Sequence, residues 1–470
     1  MEKNPLVSII IVNCNGKQFL GRCLDSVFAI NYPKSKFEVI VVDNNSKDLS
    51  RTLIKNKYPD VILVESELNL GFSGGNNLGV DYASGEFIVL LNNDTMVKPN
   101  WLTSLVQHIQ SDPKIAAVNS KLLRYYPFLE LKVNSDVYTR AEFSSVFSQE
   151  SVGVLLEHIL LEETFLQPLI HYRSGIYSEE NGPIQSRWTK GSATILVPCN
   201  PDKKHFSLTV TIHSQKYPSA LKTKIEITLG GHLIATDVLD AHEVKQYTVT
   251  MPTAQLQTSY LYQVQNAGNI VFKLGAARDR GAVTKGSYQT YEIDSNYFQK
   301  RAEVPAFCGA SVILRKAIFL DLGKFDDSLF MYYEDIDFSL RARLMGYKIT
   351  YEPNSVVLHL HSGSSKEWSD FFVFHVEKNY LAVLCKHYPV SIFIHEFIRF
   401  SLGLLVAFLK MIKWRLFEDW DLFEMWKRKF KVKLKVLQWI AINLFQLIVK
   451  RATLRKSAKV SLSTIYQTMY

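Results

Sequence analysis

The chain reads as an α/β protein built on a mostly parallel sheet flanked by helices, interrupted by a β-sandwich-like insertion and followed by a helical tail. Three observations point there. Leu6 to Asn13 and Phe37 to Asp43 are short apolar runs ending in polar turn residues, the pattern of strands buried on both faces. Between them Phe19, Leu20, Cys23, Leu24, Val27 and Phe28 recur at helical spacing. From Ala193 to Thr250 apolar and polar residues alternate, as antiparallel strands with one buried face require.

Val61 to Val64 and Glu86 to Leu91 continue the first pattern as further strands of a βαβα series. Ligands of open parallel sheets collect at the carboxyl ends of the strands. The polar residues lie there: Asn13 and Asn15, Asp43 to Ser46, Asn69 to Asn77, and Asn92 to Asp94. Gly71, Gly74 and Gly75 leave backbone room before a helix expected from about Asn76, whose amides would face an anion. That run is not GxGxxG, which disfavours a nicotinamide enzyme.

The series breaks after Leu123 and resumes with a strand at Tyr262 to Gly268. Phe206 to Ile212 and Lys224 to Leu229 read as strands, with Gly230-Gly231 as a hairpin turn, while Val152 to Leu169 reads as helical or buried. The expected division is 1–123 and 259–385 for the two halves of one domain, 124–258 for the insertion and 386–470 for the tail. Further on, Glu334, Asp335 and Asp337 crowd three carboxylates among apolar residues. Read alone they are the acidic first turn of a helix, and read chemically they raise one another's pKa toward neutrality.

Together these motifs resemble glycosyltransferase family 2, the inverting GT-A group, and its rhamnosyltransferase-like branch. The matching pieces, in family order, are VSIIIVNCNG from Val7, VVDNNSKD from Val41, NLGFSGGNNLG from Asn69, LLNNDT from Leu90, CGASVILRK from Cys308, MYYEDIDFSLRARLMGYKI from Met331 and HLHSGSS from His359. The resemblance implies a GT-A nucleotide-diphospho-sugar transferase fold and transfer of a sugar, with rhamnose the leading choice, from a nucleoside diphosphate to a cell-envelope or lipid-linked glycan. Asp43 takes the place of the base-binding Asp, with Asn15, Asn45, Gly74, Gly75, Asn76, Asn92 and Asn93 on the donor side. Without the other motifs, Asp43 to Ser46 would read as a helix cap.

Asn92-Asn93-Asp94 stands where the family has DxD, leaving Asp94 as the direct ligand of a divalent cation, Mn²⁺ or Mg²⁺. His359 resembles the distal metal-binding His, with His361 the alternative. Asp335 resembles the general base. Glu334, Asp337, Asp279 and Arg280 fall on the acceptor side, where turn or cap roles serve them equally well. Two other classes compete: a non-catalytic glycan-binding protein on the same scaffold, and a sugar-1-phosphate nucleotidyltransferase. The latter would carry an N-terminal glycine-rich loop with basic residues, which this sequence lacks.

Five widely spaced cysteines suit a reducing cytoplasm, and the short Met1 to Pro5 leader does not suit a secretion signal. Charge is concentrated at one end. Tyr380 to Tyr470 holds 16 Lys/Arg against 5 Asp/Glu, or +11, exceeding the +9 of the whole chain. Phe400 to Leu409 and Val436 to Val449 are apolar stretches flanked by this charge, and neither makes a clean twenty-residue span. The expectation is peripheral association with an anionic membrane at the cytoplasmic face through the tail. No nucleic-acid motif accompanies the basic residues, so nucleic acid is not an expected partner.

Overall fold

Strand β1 (Val7–Asn13) is apolar because both its faces are covered. It pairs in parallel with β2 (Phe37–Asn44), which pairs in turn with β3 (Val61–Ser66); on its other side lies β4 (Phe87–Leu91), also parallel. Helices α1 (Lys17–Phe28), α2 (Ser50–Lys57) and α3 (Gly71–Asp81) make the crossovers. In α1 the buried Leu20, Cys23, Leu24 and Val27 follow the helical repeat. The register sets Asn13 beside Asp43 and Asp43 beside Glu65, so the polar strand ends share one edge. The computed structural model describes residues 4–139, 151–176, 187–214, 222–285, 288–360, 369–467 and 469–470.

Beyond β4 the sheet turns mixed. β5 (Thr95–Val97) and α4 (Trp101–Gln110) lead to β6 (Ile115–Arg124), and the chain returns through β7 (Val264–Asn266), β8 (Ala302–Glu303) and β9 (Ser311–Arg315). β9 lies antiparallel between β4 and β6. Helix α5 (Glu334–Leu344) then precedes β10 (Lys348–His359), which runs parallel to β6. The order is β8-β10-β6-β9-β4-β1-β2-β3, with β7 against β6 and β5 against β10. This is the GT-A arrangement that the resemblance implies.

One expectation is corrected here. Helix α3 begins at Gly71 rather than near Asn76, so Gly74 and Gly75 lie inside it. The reason is packing: a Cβ at Gly75 would stand 2.8 Å from Val12 and one at Gly79 2.5 Å from Ile10, so the glycines let the helix press onto β1.

Tyr125–Gln263 forms a compact unit of its own. Eight of its strands join in one sheet, in the order His232–Leu239, Thr223–Leu229, Phe128–Ser135, Arg187–Pro198, Leu155–Leu161, His205–His213 and Val244–Pro252, with His171–Ile176 also against Arg187–Pro198. Leu131, Val133, Ile195, Leu208, Val210 and Ile227 share one core. The Gly230-Gly231 turn has both φ values positive, 56° and 84°, as a tight hairpin needs. The stretch read as helical or buried at Val152 to Leu169 instead contains the strand Leu155–Leu161 and a short 3₁₀ turn at Thr164–Leu169. A register shift between Leu156 and His158 breaks its alternation, which hides the strand in the sequence.

The C-terminal residues also depart from expectation. α6 (Asp370–His387), α7 (Val390–Leu416) and α8 (Trp420–Ser457) follow β10. Val436, Ile440 and Leu447 of α8 share a core with Ile336 and Leu340 of α5 and with Leu381 and Leu384 of α6. The residues after 386 are therefore no detached appendage. The two apolar stretches belong to helices of 27 and 38 residues, which by length and composition could cross a membrane.

Candidate active site

The ends of β1 and β2 build the donor side. Asp43 is fully buried, and its Oδ1 accepts from Arg51 Nε at 2.6 Å and from the Ser46 backbone N–H at 3.1 Å. Its Oδ2 is buried without a hydrogen-bond partner among the described residues, an acceptor left for an incoming N–H group. Asn15 and Asn45 hold left-handed backbone, φ 53° and 63°, which asparagine tolerates better than most residues. Asn15 N–H donates to Ser46 Oγ at 3.0 Å, and Asn15 Oδ1 accepts from Lys47 N–H at 2.7 Å, tying the two loops together.

Asn93 donates to Asn13 Oδ1 at 2.8 Å and so braces β4 against β1, while Asn92 beside it is half-buried. Asn76 is buried and donates to the Phe72 carbonyl within its own helix. At the start of α3, Ser73 N–H donates to the Phe330 carbonyl at 3.0 Å, so one of the amides expected to face an anion already has a protein partner. Gly71, with φ +70°, is required there, because a Cβ would lie 2.4 Å from that carbonyl oxygen.

β5 and β10 pair so that Thr95 stands opposite His359, and this brings together two residues far apart in the chain. Buried His359 Nε2 lies 3.1 Å from buried Asp94 Oδ1. On the other side of the ring, Nδ1 lies 2.8 Å from Gln265 Oε1. With that oxygen as acceptor, Nδ1 carries the hydrogen and Nε2 turns a lone pair toward the carboxylate. Two such atoms are stabilised by a proton or a cation between them, so the pair fits a divalent ion. Among the described residues no third His, Cys, Asp or Glu completes a metal-holding group, which leaves the other positions to phosphate and water. The alternative ligand, His361, lies outside the described residues.

Asp335 opens α5. Its Oδ1 accepts from the Ile336 N–H at 2.8 Å, and its Oδ2 accepts from Gly309 N–H at 3.3 Å and from Asn269 Nδ2 at 3.4 Å. Burial, opposed by those backbone donors and reinforced by Asp279, pushes the carboxyl up to about 6. Glu334 next to it goes well above the ordinary range, through burial and then through the charge of Asp335. Asp337 behaves oppositely. Burial alone would raise it, but Lys386, Arg341 and His387 outweigh that and hold it well below the ordinary range. Lys386 Nζ at 2.5 Å and His387 Nε2 at 2.8 Å both face its Oδ1, which makes Asp337 part of a buried ion-pair cluster. Asp279 accepts from Asn266 Nδ2 at 2.7 Å. The Arg280 guanidinium packs over the rings of Tyr297, Phe298 and Tyr351.

Gln265, Asn269 and Gly309 support these residues without having been singled out in the sequence. Only Gly309 lies within a motif, CGASVILRK; the others carry no spacing signal of their own.

Residues 8–152 match the sequence model of glycosyl transferase family 2. Among curated proteins, the chain is 25% identical over 175 residues to an uncharacterized glycosyltransferase of Haemophilus influenzae, covering 37% of this chain and 50% of that one. It is 30% identical over 107 residues to the GalNAc(5)-diNAcBac-PP-undecaprenol beta-1,3-glucosyltransferase of Campylobacter jejuni, covering 22% and 34%. The chain thus spans no more than about half the length of either relative. A solved structure of GalNAc-T7 with UDP, GalNAc and Mn²⁺ is similar at 14% identity and a TM-score of 0.43, covering 82% of this chain and 48% of that one.

Proposed function

From a chain that carries a glycosyltransferase family 2 domain over residues 8–152, we infer an inverting, metal-dependent transfer of a sugar from a nucleoside diphosphate to a hydroxyl of a cell-envelope or lipid-linked glycan. The observation that carries this reading is Asp335, half-buried in the first turn of α5 and fixed by Ile336, Gly309 and Asn269, a setting that pushes its carboxyl up to about 6. It removes the proton of the acceptor hydroxyl as that oxygen attacks the anomeric carbon. The bond to the departing diphosphate breaks in the same displacement, which inverts the configuration and needs no covalent intermediate. Asp43 Oδ2 receives a ring N–H of the nucleotide base, and Asn15 and Asn45 flank it. A divalent cation, when bound, neutralises the leaving diphosphate; Asp94 and His359 would hold it, with Gln265 fixing the imidazole. The undecaprenol-linked substrate in the name of the Campylobacter relative supports a lipid-linked acceptor.

The test is a panel of UDP-, GDP- and dTDP-sugars, dTDP-rhamnose first, incubated with the full chain and Mn²⁺. Cleavage of at least one donor is expected, and excess chelator should abolish it. Asp94→Ala and His359→Ala should each weaken Mn²⁺-dependent nucleotide binding by at least about tenfold, the effect expected of losing one ligand or its orientation. Full activity in chelator would remove the metal, and failure of every donor would favour a glycan-binding role.

The tail supports a membrane location. Ile394, Ile398, Leu402, Leu405 and Leu409 are exposed along one stripe of α7, and Ile442, Phe445 and Val449 are exposed on α8. Lys410, Lys413 and Arg415 accompany the first stripe, and a run of cations from Lys427 to Lys435 precedes the second. Because α8 also packs into the core through Val436, Ile440 and Leu447, it suits a position lying on the leaflet rather than crossing it. Co-sedimentation should be stronger with vesicles containing phosphatidylglycerol than with phosphatidylcholine alone, and salt should reverse it only in part. Complete release by salt would leave Coulomb attraction as the sole contact.

A further inference from the structure

Just before Asp335 the backbone does something that bulky residues avoid. Phe330, Tyr332 and Tyr333 all have left-handed φ values, 65°, 69° and 67°, and none is glycine. Such a run persists only where its surroundings hold it. The holder is Asn379, fully buried on α6. Its Nδ2 faces three carbonyl oxygens of the turn, those of Leu329 at 2.9 Å, Met331 at 2.7 Å and Tyr332 at 2.6 Å. The amide has one workable orientation, since rotating it would set Oδ1 against those same oxygens. The neighbouring Lys378 donates from Nζ to the carbonyl of Ser328 at 2.9 Å. On its far side the turn also touches the donor half of the site, because the Phe330 carbonyl accepts from Ser73 on α3.

We propose that Asn379 is a positioning residue for the sugar transfer, pinning the left-handed turn that delivers Asp335 to the acceptor hydroxyl. This rests on the reading of Asp335 as the base. Without the three carbonyl contacts the turn relaxes toward ordinary backbone, and α5 loses the fixed entry that sets the angle of its first carboxylates. The groups facing Asp335 are Asp279 beyond β7, Cys308 before β9, and Tyr333 and Glu334 at the start of α5. Burial is the main cause of the raised Asp335 carboxyl and Asp279 adds to it, so Asp335 keeps that pKa only while it stays in this half-buried place. A relaxed turn lets water reach it.

The experiment follows the Asp335 carboxyl by ¹³C NMR in protein labelled at aspartate side chains, with Asp335→Asn identifying the resonance. The wild-type carboxyl should titrate near 6, and Asn379→Ala should move it toward about 4, the value of a hydrated aspartate. Turnover of the donor that the panel selects should fall at least tenfold, with nucleotide affinity changed less than twofold. If the alanine variant does not fold, Asn379→Ser, which keeps one donor in less space, is judged on the same titration. An unmoved titration overturns the proposal even if melting temperature and turnover both drop, because the side chain then acts through stability alone. Failure of wild-type protein to cleave any donor would overturn the transfer reading separately, while the titration still decides whether Asn379 places Asp335.

Discussion

Asp335→Asn is expected to lower turnover by at least about a hundredfold while nucleotide affinity stays within about twofold, since a general base contributes on that scale and does not touch the donor in the ground state. The amide keeps the shape, and its one oxygen can still accept from Ile336 or from Gly309, though not from both, so the loss is chiefly that of proton removal. In the wild type the rate should rise with pH through about 6, because the base works only once its proton is gone. Stability should run the other way. A carboxyl held near 6 in the fold and near 3.9 when unfolded favours the folded state at low pH, and that advantage is lost as pH rises from about 4 to 6. Above that window the charged, half-buried Asp335 is a liability of at most about 3 kcal/mol, so Asp335→Asn should melt higher than wild type at pH 7.5. A variant that retains turnover would move the base elsewhere, and one that melts lower would mean that the carboxylate is stabilised in place.

The parallel half of the sheet was legible because β1, β2 and β4 are covered on both faces, and a doubly buried strand must be apolar throughout. The period-two text of His205–His213 and Thr223–Leu229 was legible for the complementary reason, one face in and one out. Legibility failed where tertiary contact overrode local pattern. The glycines of α3 resembled a turn, yet they serve the close approach of a helix to Val12 and Ile10. The strand Leu155–Leu161 was masked by its own register shift. Asp94, His359 and Asp335 were visible through family motifs, but their partners were not. Gln265 meets His359 across 94 residues of chain and Asn379 meets Met331 across 48, and no local periodicity records such pairings.

Removal of α7 and α8 by truncation after Pro389 is expected to abolish folding of the catalytic unit rather than release a soluble enzyme. Val436, Ile440 and Leu447 are at most 2% exposed, and each stabilises by roughly 1.5–3 kcal/mol on burial. Three such side chains approach the 5–15 kcal/mol that holds a whole domain. The charge cluster fails with them. Lys450 of α8 binds both oxygens of Asp326 at 2.7 and 2.9 Å, and Lys386 is shared between Asp326 and the fully buried Asp337 of α5. Arg451 donates to the carbonyls of Cys385 and Tyr388 at the end of α6, closing that helix end. Cutting the chain therefore opens the core beneath α5 and α6 and strips Lys450 from the carboxylate cluster, leaving Lys386 and His387 to balance Asp326 and Asp337. Circular dichroism melting of the truncated and full-length proteins decides it: a cooperative transition at an unchanged temperature would mean that α8 leans on a core complete without it. Lys450→Met separates the two terms, because it removes one cation and leaves the apolar contacts in place.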